Sequence, residues 1–140
     1  MILSKPDIAK RQIETACALF LEGGDYLSVV TLAGAAEEVL GSLLKRAGKS
    51  HMMDHLVTLD RELGRARKFN EVSDEVNKAR NALKHARDAS EDLVDIAPGE
   101  ADAMLVRAIA NYVVLTDDAT EQMVAVYQKL MAVQHEEHAR

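Results

Sequence analysis

The chain has 140 residues, 48% of them hydrophobic, 29% charged and 4% aromatic, with two prolines and no tryptophan. That length suits one domain with a real core, and the composition excludes both a disordered chain and a many-stranded β fold. Seventeen basic against 23 acidic side chains give a net charge of −6, which argues against a protein that coats nucleic acid or an anionic membrane.

The single cysteine, Cys17, lies in an apolar helical pattern. A lone cysteine cannot staple a secreted fold, so a cytoplasmic location and a buried, inert thiol are expected. The N-terminus lacks the charged and apolar regions of a signal peptide. The longest uncharged stretch, Tyr26 to Ala36, has 11 residues and falls short of a membrane span.

In chain order, Ser4 caps a first helix with Pro6 in its opening turn. Ile8, Ile13, Ala16, Leu19 and Phe20 form its inward stripe, and Gly23-Gly24 stop it. Asp25 caps a second helix running to Ala47, closed by Gly48. Tyr26, Val30, Ala33, Ala36, Leu40 and Leu43 follow the helical period, while Val29, Leu32, Val39 and Leu44 widen the stripe beyond one partner's needs. This helix is therefore expected at the centre of a bundle or a dimer, forming a long antiparallel hairpin with the first. Gly34 and Gly41 on it permit close helix approach. A shorter helix follows Ser50 and weakens at Gly64. Asn70 is the expected cap of a fourth helix from about Glu71 to Asp88, and 89–99 reads as an acidic loop with Pro98. The last helix opens near Gly99 and continues to about Gln134, with a bend at Thr116-Asp117-Asp118. The expectation is one all-α domain over residues 1–140, an up-down bundle of about five helices.

Charge is distributed unevenly. Residues 61–87 carry eight basic and four acidic side chains, and residues 88–102 carry six acidic and none basic. The basic island holds the fourth helix. Projected at about 100° per residue, Val72, Val76, Ala79, Leu83 and Ala86 share one face. Asn77, Asn81, Asp74, Asp88 and His85 lie on the far side, and Arg80 sits at the border with its guanidinium reaching out.

Arg80-Asn81-Ala82-Leu83-Lys84-His85 resembles the R-x(4–6)-H signature of HEPN domains. The hairpin formed by Leu19 to Tyr26 and Leu32 to Glu38 is similar to the first hairpin of small bacterial HEPN-like proteins. The resemblance covers roughly residues 6–130. It implies a homodimer with two signature helices at one composite cleft, and metal-independent RNA cleavage without a cofactor. In that reading His85 is the general acid or base and Arg80 stabilises charge on the phosphorane. Asn81, Lys84 and Asn77 contact substrate. A second arginine–histidine pair with the same spacing, Arg46 and His51, straddles the stop at Gly48.

Glu37 and Glu38 are adjacent carboxylates in an otherwise apolar helix, so one must turn inward or toward a partner and find a donor. The resemblance implies contact with the signature helix, including Arg80. His51 and His55 have the i, i+4 spacing of a metal pair, a weaker candidate than ordinary surface histidines. His135 and His138 sit on the last helical turns and carry no assigned role. Two functional expectations follow. One is RNA or nucleotide-phosphate binding, with possible cleavage, at the dimer cleft. The alternative is a non-catalytic dimeric interaction module, such as the partner of a small nucleotidyltransferase in a toxin–antitoxin-like pair.

Overall fold

The computed structural model describes the backbone of residues 1–139 and the side chains of residues 1–133. Seven α-helices and one short 3-10 turn make up the described residues, with no strand. They are α1 (Lys5–Leu21), α2 (Tyr26–Arg46), α3 (Met52–Glu62), α4 (Phe69–Val76), α5 (Lys78–Lys84), α6 (Gly99–Thr116) and α7 (Glu121–Ala139). The 3-10 turn spans Ala89–Glu91 in the acidic loop.

The first hairpin forms where its capping chemistry places it. Ser4 Oγ accepts from the Asp7 amide at 3.2 Å, and Asp25 Oδ2 accepts from the Ser28 amide at the same distance. Gly23, at φ +70°, takes the left-handed turn that ends α1. α2 is the central helix, packed chiefly against α6 and α1, while α7 packs on α1. Val29, Val30, Ala33, Ala36, Leu40 and Leu44 of α2 are fully buried or nearly so, and all but Leu44 meet Ile13, Ala16, Leu105 and Ala108 in one core. Leu32 and Val39 are half-buried. By length and composition α2 is the one described helix long and apolar enough to cross a membrane. Here that apolar surface faces α1 and α6. Cys17 lies in the same core, and burial raises its thiol pKa to about 11, with a smaller push from Glu14.

Two expected long helices are each broken in two. The helix expected over 71–88 divides at Asn77, with φ −104° and ψ 7°, and it begins after Lys68 rather than after Asn70. The cause lies on α6. In an unbroken helix the Val76 carbonyl would be committed to the Arg80 amide. Here it accepts Arg107 Nη1 at 3.1 Å, and the Asn77 side chain accepts Arg107 Nη2 at 2.8 Å. The break spoils the helical phase. Asn77 is buried rather than outward, Ala86 is exposed rather than in the core, and α5 ends at Lys84, leaving His85 in extended backbone. The bend expected at Thr116-Asp117-Asp118 of the last helix is a complete break. Asp117 adopts a left-handed conformation at φ 55°, and Thr120 opens α7 by accepting the Met123 amide. The bundle therefore has seven helices instead of about five.

The α3–α4 connection is fastened by Asp60. It accepts Arg67 Nη2 at 2.6 Å, Arg67 Nε at 3.0 Å and the Arg67 amide at 2.9 Å. Those hydrogen bonds hold its carboxyl below the usual carboxylate range. Arg67 also pairs with Glu75 of α4.

α5 approaches α2 closely at Gly34. A Cβ there would stand 2.7 Å from Arg80 Cγ and Cδ, so α5 lays an arginine stem directly across the α2 backbone. Gly34→Ala is expected to lower stability by about 1–2 kcal/mol in urea unfolding, through overpacking. This loss should appear despite a helix-propensity gain of up to ~1 kcal/mol. A stabilised variant would show that the Arg80 stem moves aside at no cost.

Candidate functional site

The polar residues of α2, α5 and α6 converge on Glu37. Its carboxylate is 3% exposed and sits between two guanidinium groups. Oε1 is 3.1 Å from Arg107 Nη2, and Oε2 accepts Arg80 Nη1 at 3.3 Å. An apolar helix can bury this acid only because both donors reach it. The inward turn of one of the two adjacent carboxylates is thus resolved. Glu37 goes in, and Glu38 stays out beside Lys84 at 3.6 Å and Arg80 at 4.0 Å.

Arg107 is the residue that the sequence reading missed. It is 5% exposed and touches Glu37, the Val76 carbonyl, Asn77 and Met53 Sδ. Burial depresses its pKa, opposed by Glu37 and reinforced by the neighbouring charge of Arg80. Asn111, one turn further along α6, is equally hidden. It donates to the Glu37 carbonyl at 3.3 Å and accepts the Met52 amide at 2.9 Å. The start of α3 is thereby tied to α2 and α6. A lone arginine and a lone asparagine in the apolar run of α6 carry the same signal that singled out Glu37 and Glu38.

The sequence-derived site residues separate into two groups. Arg80, Asn77, Glu37 and Glu38 all border one cavity beside α2, together with Lys45 and His51. His85 and Asn81 line a different and larger cleft of about 620 Å³, between α5 and the acidic loop. Arg80 does not reach outward from the border of its helix. Its side chain is 12% exposed and its Nη1 is engaged by Glu37. Within one chain, then, Arg80 and His85 open onto different cavities. Lys84, exposed at the end of α5, borders neither of these and instead lines a shallow groove with Lys5 and Arg46.

The His85 cleft is electrostatically acidic. Glu75, Glu91, Asp95 and Glu100 line it, against Lys78 as its one lysine or arginine. Its apolar wall includes Ala79, Ala82, Val94 and Ile96, and Leu93 projects at 92% exposure. The Ile96 carbonyl accepts Tyr26 Oη at 2.9 Å, which fixes the acidic loop against the start of α2. A phosphodiester entering this cleft would meet four carboxylates, an arrangement that repels anions and attracts cations.

The His51–His55 pair is not a helical i, i+4 pair. His51 is the residue before α3, with extended backbone, and its amide donates to Asp54 Oδ2 at 3.2 Å. Its ring packs near Gly41 and Asn111, whereas His55 is exposed on α3. Among the described residues, no three His, Cys, Asp or Glu side chains gather closely enough to hold a metal ion. The side chains of His135 and His138 lie outside the described residues.

Removing the shared carboxylate should be far more costly than removing its neighbour. Glu37→Ala leaves two buried guanidinium groups without their counter-charge and is expected to destabilise by about 3–5 kcal/mol. Glu38→Ala removes an exposed partner and should cost no more than about 1 kcal/mol. Denaturant unfolding of both variants measures the difference. Equal losses would mean that Glu37 is not the centre of the network.

No family model, curated protein or solved structure matches the chain, so its functional reading rests on its own residues.

Proposed function

We propose that this chain is a HEPN-like helical domain that serves as a non-catalytic interaction module. It would act in the cytoplasm as a homodimer and as the partner of a protein such as a small nucleotidyltransferase in a toxin–antitoxin-like pair. One observation carries this reading, the separation of Arg80 from His85. Arg80 is spent on Glu37 in the interior, and His85 stands in a cleft lined by four carboxylates. A general acid or base needs the charge-stabilising group beside it at the reacting phosphate. A solvent-facing cleft with acidic walls and an apolar floor is better suited to a basic protein surface than to RNA.

A second reading is favoured by the cavities that the two residues border. Arg80 borders a cavity on the α2 side and His85 borders one on the other side, so two copies could join them across a composite cleft. There Arg80, Asn81, Lys84 and His85 would bind RNA or nucleotide phosphates and cleave without metal.

Incubating purified protein with mixed RNA in EDTA separates the two. The interaction reading predicts no cleavage by wild type or by His85→Ala. It also predicts recovery of a nucleotidyltransferase-type partner from the source lysate, lost on the charge reversal Glu91→Lys in the cleft wall. Cleavage by wild type that disappears in His85→Ala overturns the first reading in favour of the second.

A further inference from the structure

Beside α2, beyond the point where α5 crosses it, lies a groove of about 460 Å³. Half-buried Ala35, Val39 and Leu43 form an apolar floor, and exposed Lys5, Arg46 and Lys84 stand around it. The acidic loop after α5 carries the reverse pattern in projecting form. Residues 88–95 hold four carboxylates and no basic group, and Leu93 among them is 92% exposed. We propose that the homodimer read above, on which this inference rests, forms by docking each protomer's loop into its partner's α2 groove. Leu93 then lies on the apolar floor.

The charges of the two surfaces are complementary. The groove sets Lys5, Arg46 and Lys84 against one carboxylate, Glu38, which already lies 3.6 Å from Lys84 and 4.0 Å from Arg80. Lys5 and Arg46 pair with no carboxylate among the described residues. On the loop, Asp88 accepts from Ser90 and Glu91 accepts from the Arg87 amide. Asp92 is exposed and lies off the lining of the His85 cleft, so its carboxylate is offered on the loop's outer side. Opposite charges fix the register of such a contact, and burial of Leu93 removes apolar surface from water.

The placement of loop and groove suits a two-fold axis. α5 crosses α2 at Gly34. On one side of the crossing, Tyr26 Oη donates to the Ile96 carbonyl and ties the loop to the start of α2. On the other side the groove runs from Ala35 to Arg46, toward the end of α2. Lys84 lines the groove and His85 lines the cleft under the loop, so the two features flank the end of α5. A two-fold axis at the crossing runs the two α2 helices antiparallel. Each loop then meets the partner's groove, and the dimer has two identical contacts.

Sedimentation equilibrium of the full chain measures the dimer dissociation constant and tests the interface. Wild type is expected to dimerise, less tightly at high salt. Arg46→Glu in the groove and Asp92→Arg on the loop should each weaken the dimer at least about tenfold, since each reversal acts at both contacts. The two reversals change the net charge in opposite directions, so a shared loss excludes general repulsion as its cause. The combined variant restores opposite charges across the contact and should regain most of the lost affinity. Both side chains are exposed, and unchanged helical circular dichroism checks that the variants fold. Arg61→Glu, on α3, should dimerise as wild type does. A chain that stays monomeric at every concentration overturns the homodimer and this interface with it. A dimer indifferent to either reversal, or a combined variant no tighter than the single ones, leaves the homodimer standing and overturns the interface.

Discussion

A single carboxylate, buried in the central helix and held by arginines from two other helices, sets the architecture of this protein. Glu37 joins α2 to α5 through Arg80 and to α6 through Arg107. Arg107 then reaches the Val76 carbonyl and Asn77, which ends α4 and begins α5. Asn111 adds the start of α3 to the same network. Hydrophobic burial between α1, α2 and α6 provides the core, but it is non-directional and would accept several arrangements of the short helices. The ion pair and its hydrogen bonds are directional, so they choose one.

The same interaction divides the surface of the molecule chemically. By drawing Arg80 inward across Gly34, Glu37 turns it toward the cavity on the α2 side. His85, released from the end of α5, faces the acidic loop instead. Of the acidic excess over 88–102, Glu91, Asp95 and Glu100 gather around the His85 cleft, while Arg80 alone of the basic excess over 61–87 reaches the cavity beside α2. The cleft attracts cations, whereas on the cavity Lys45 and Arg80 are balanced by Glu37 and Glu38. A net charge of −6 conceals both.

Much of the helical framework was legible in the sequence because its signals are local. Ser4, Asp25 and Gly23 act within one turn of themselves, and the apolar period of α2 needs no knowledge of its partners. The inward turn of a carboxylate at 37–38 was legible for a similar reason, since an apolar helix leaves an acid few places to go. The break at Asn77 was not, because its cause is an arginine 30 residues away. A projection that assumes one continuous helix over 71–88 then misplaces Asn77, Arg80 and Ala86, although Ala79 and Leu83 still fall on the core side. At Asp117 the polar triplet marked a bend in the sequence, but not the left-handed residue that makes it a complete break. Arg107 and Asn111 were readable in principle, as isolated polar residues in an apolar helix, by the reasoning applied to Glu37.

The coupling between Glu37 and Arg80 is the central quantity. A double-mutant cycle built from Glu37→Gln, Arg80→Met and the double variant, read by denaturant unfolding, measures it directly. A coupling of about 2 kcal/mol or more is predicted, with the double variant less destabilised than the two single losses combined. Additive losses, with coupling near zero, would contradict the account and leave Arg80 free to serve elsewhere.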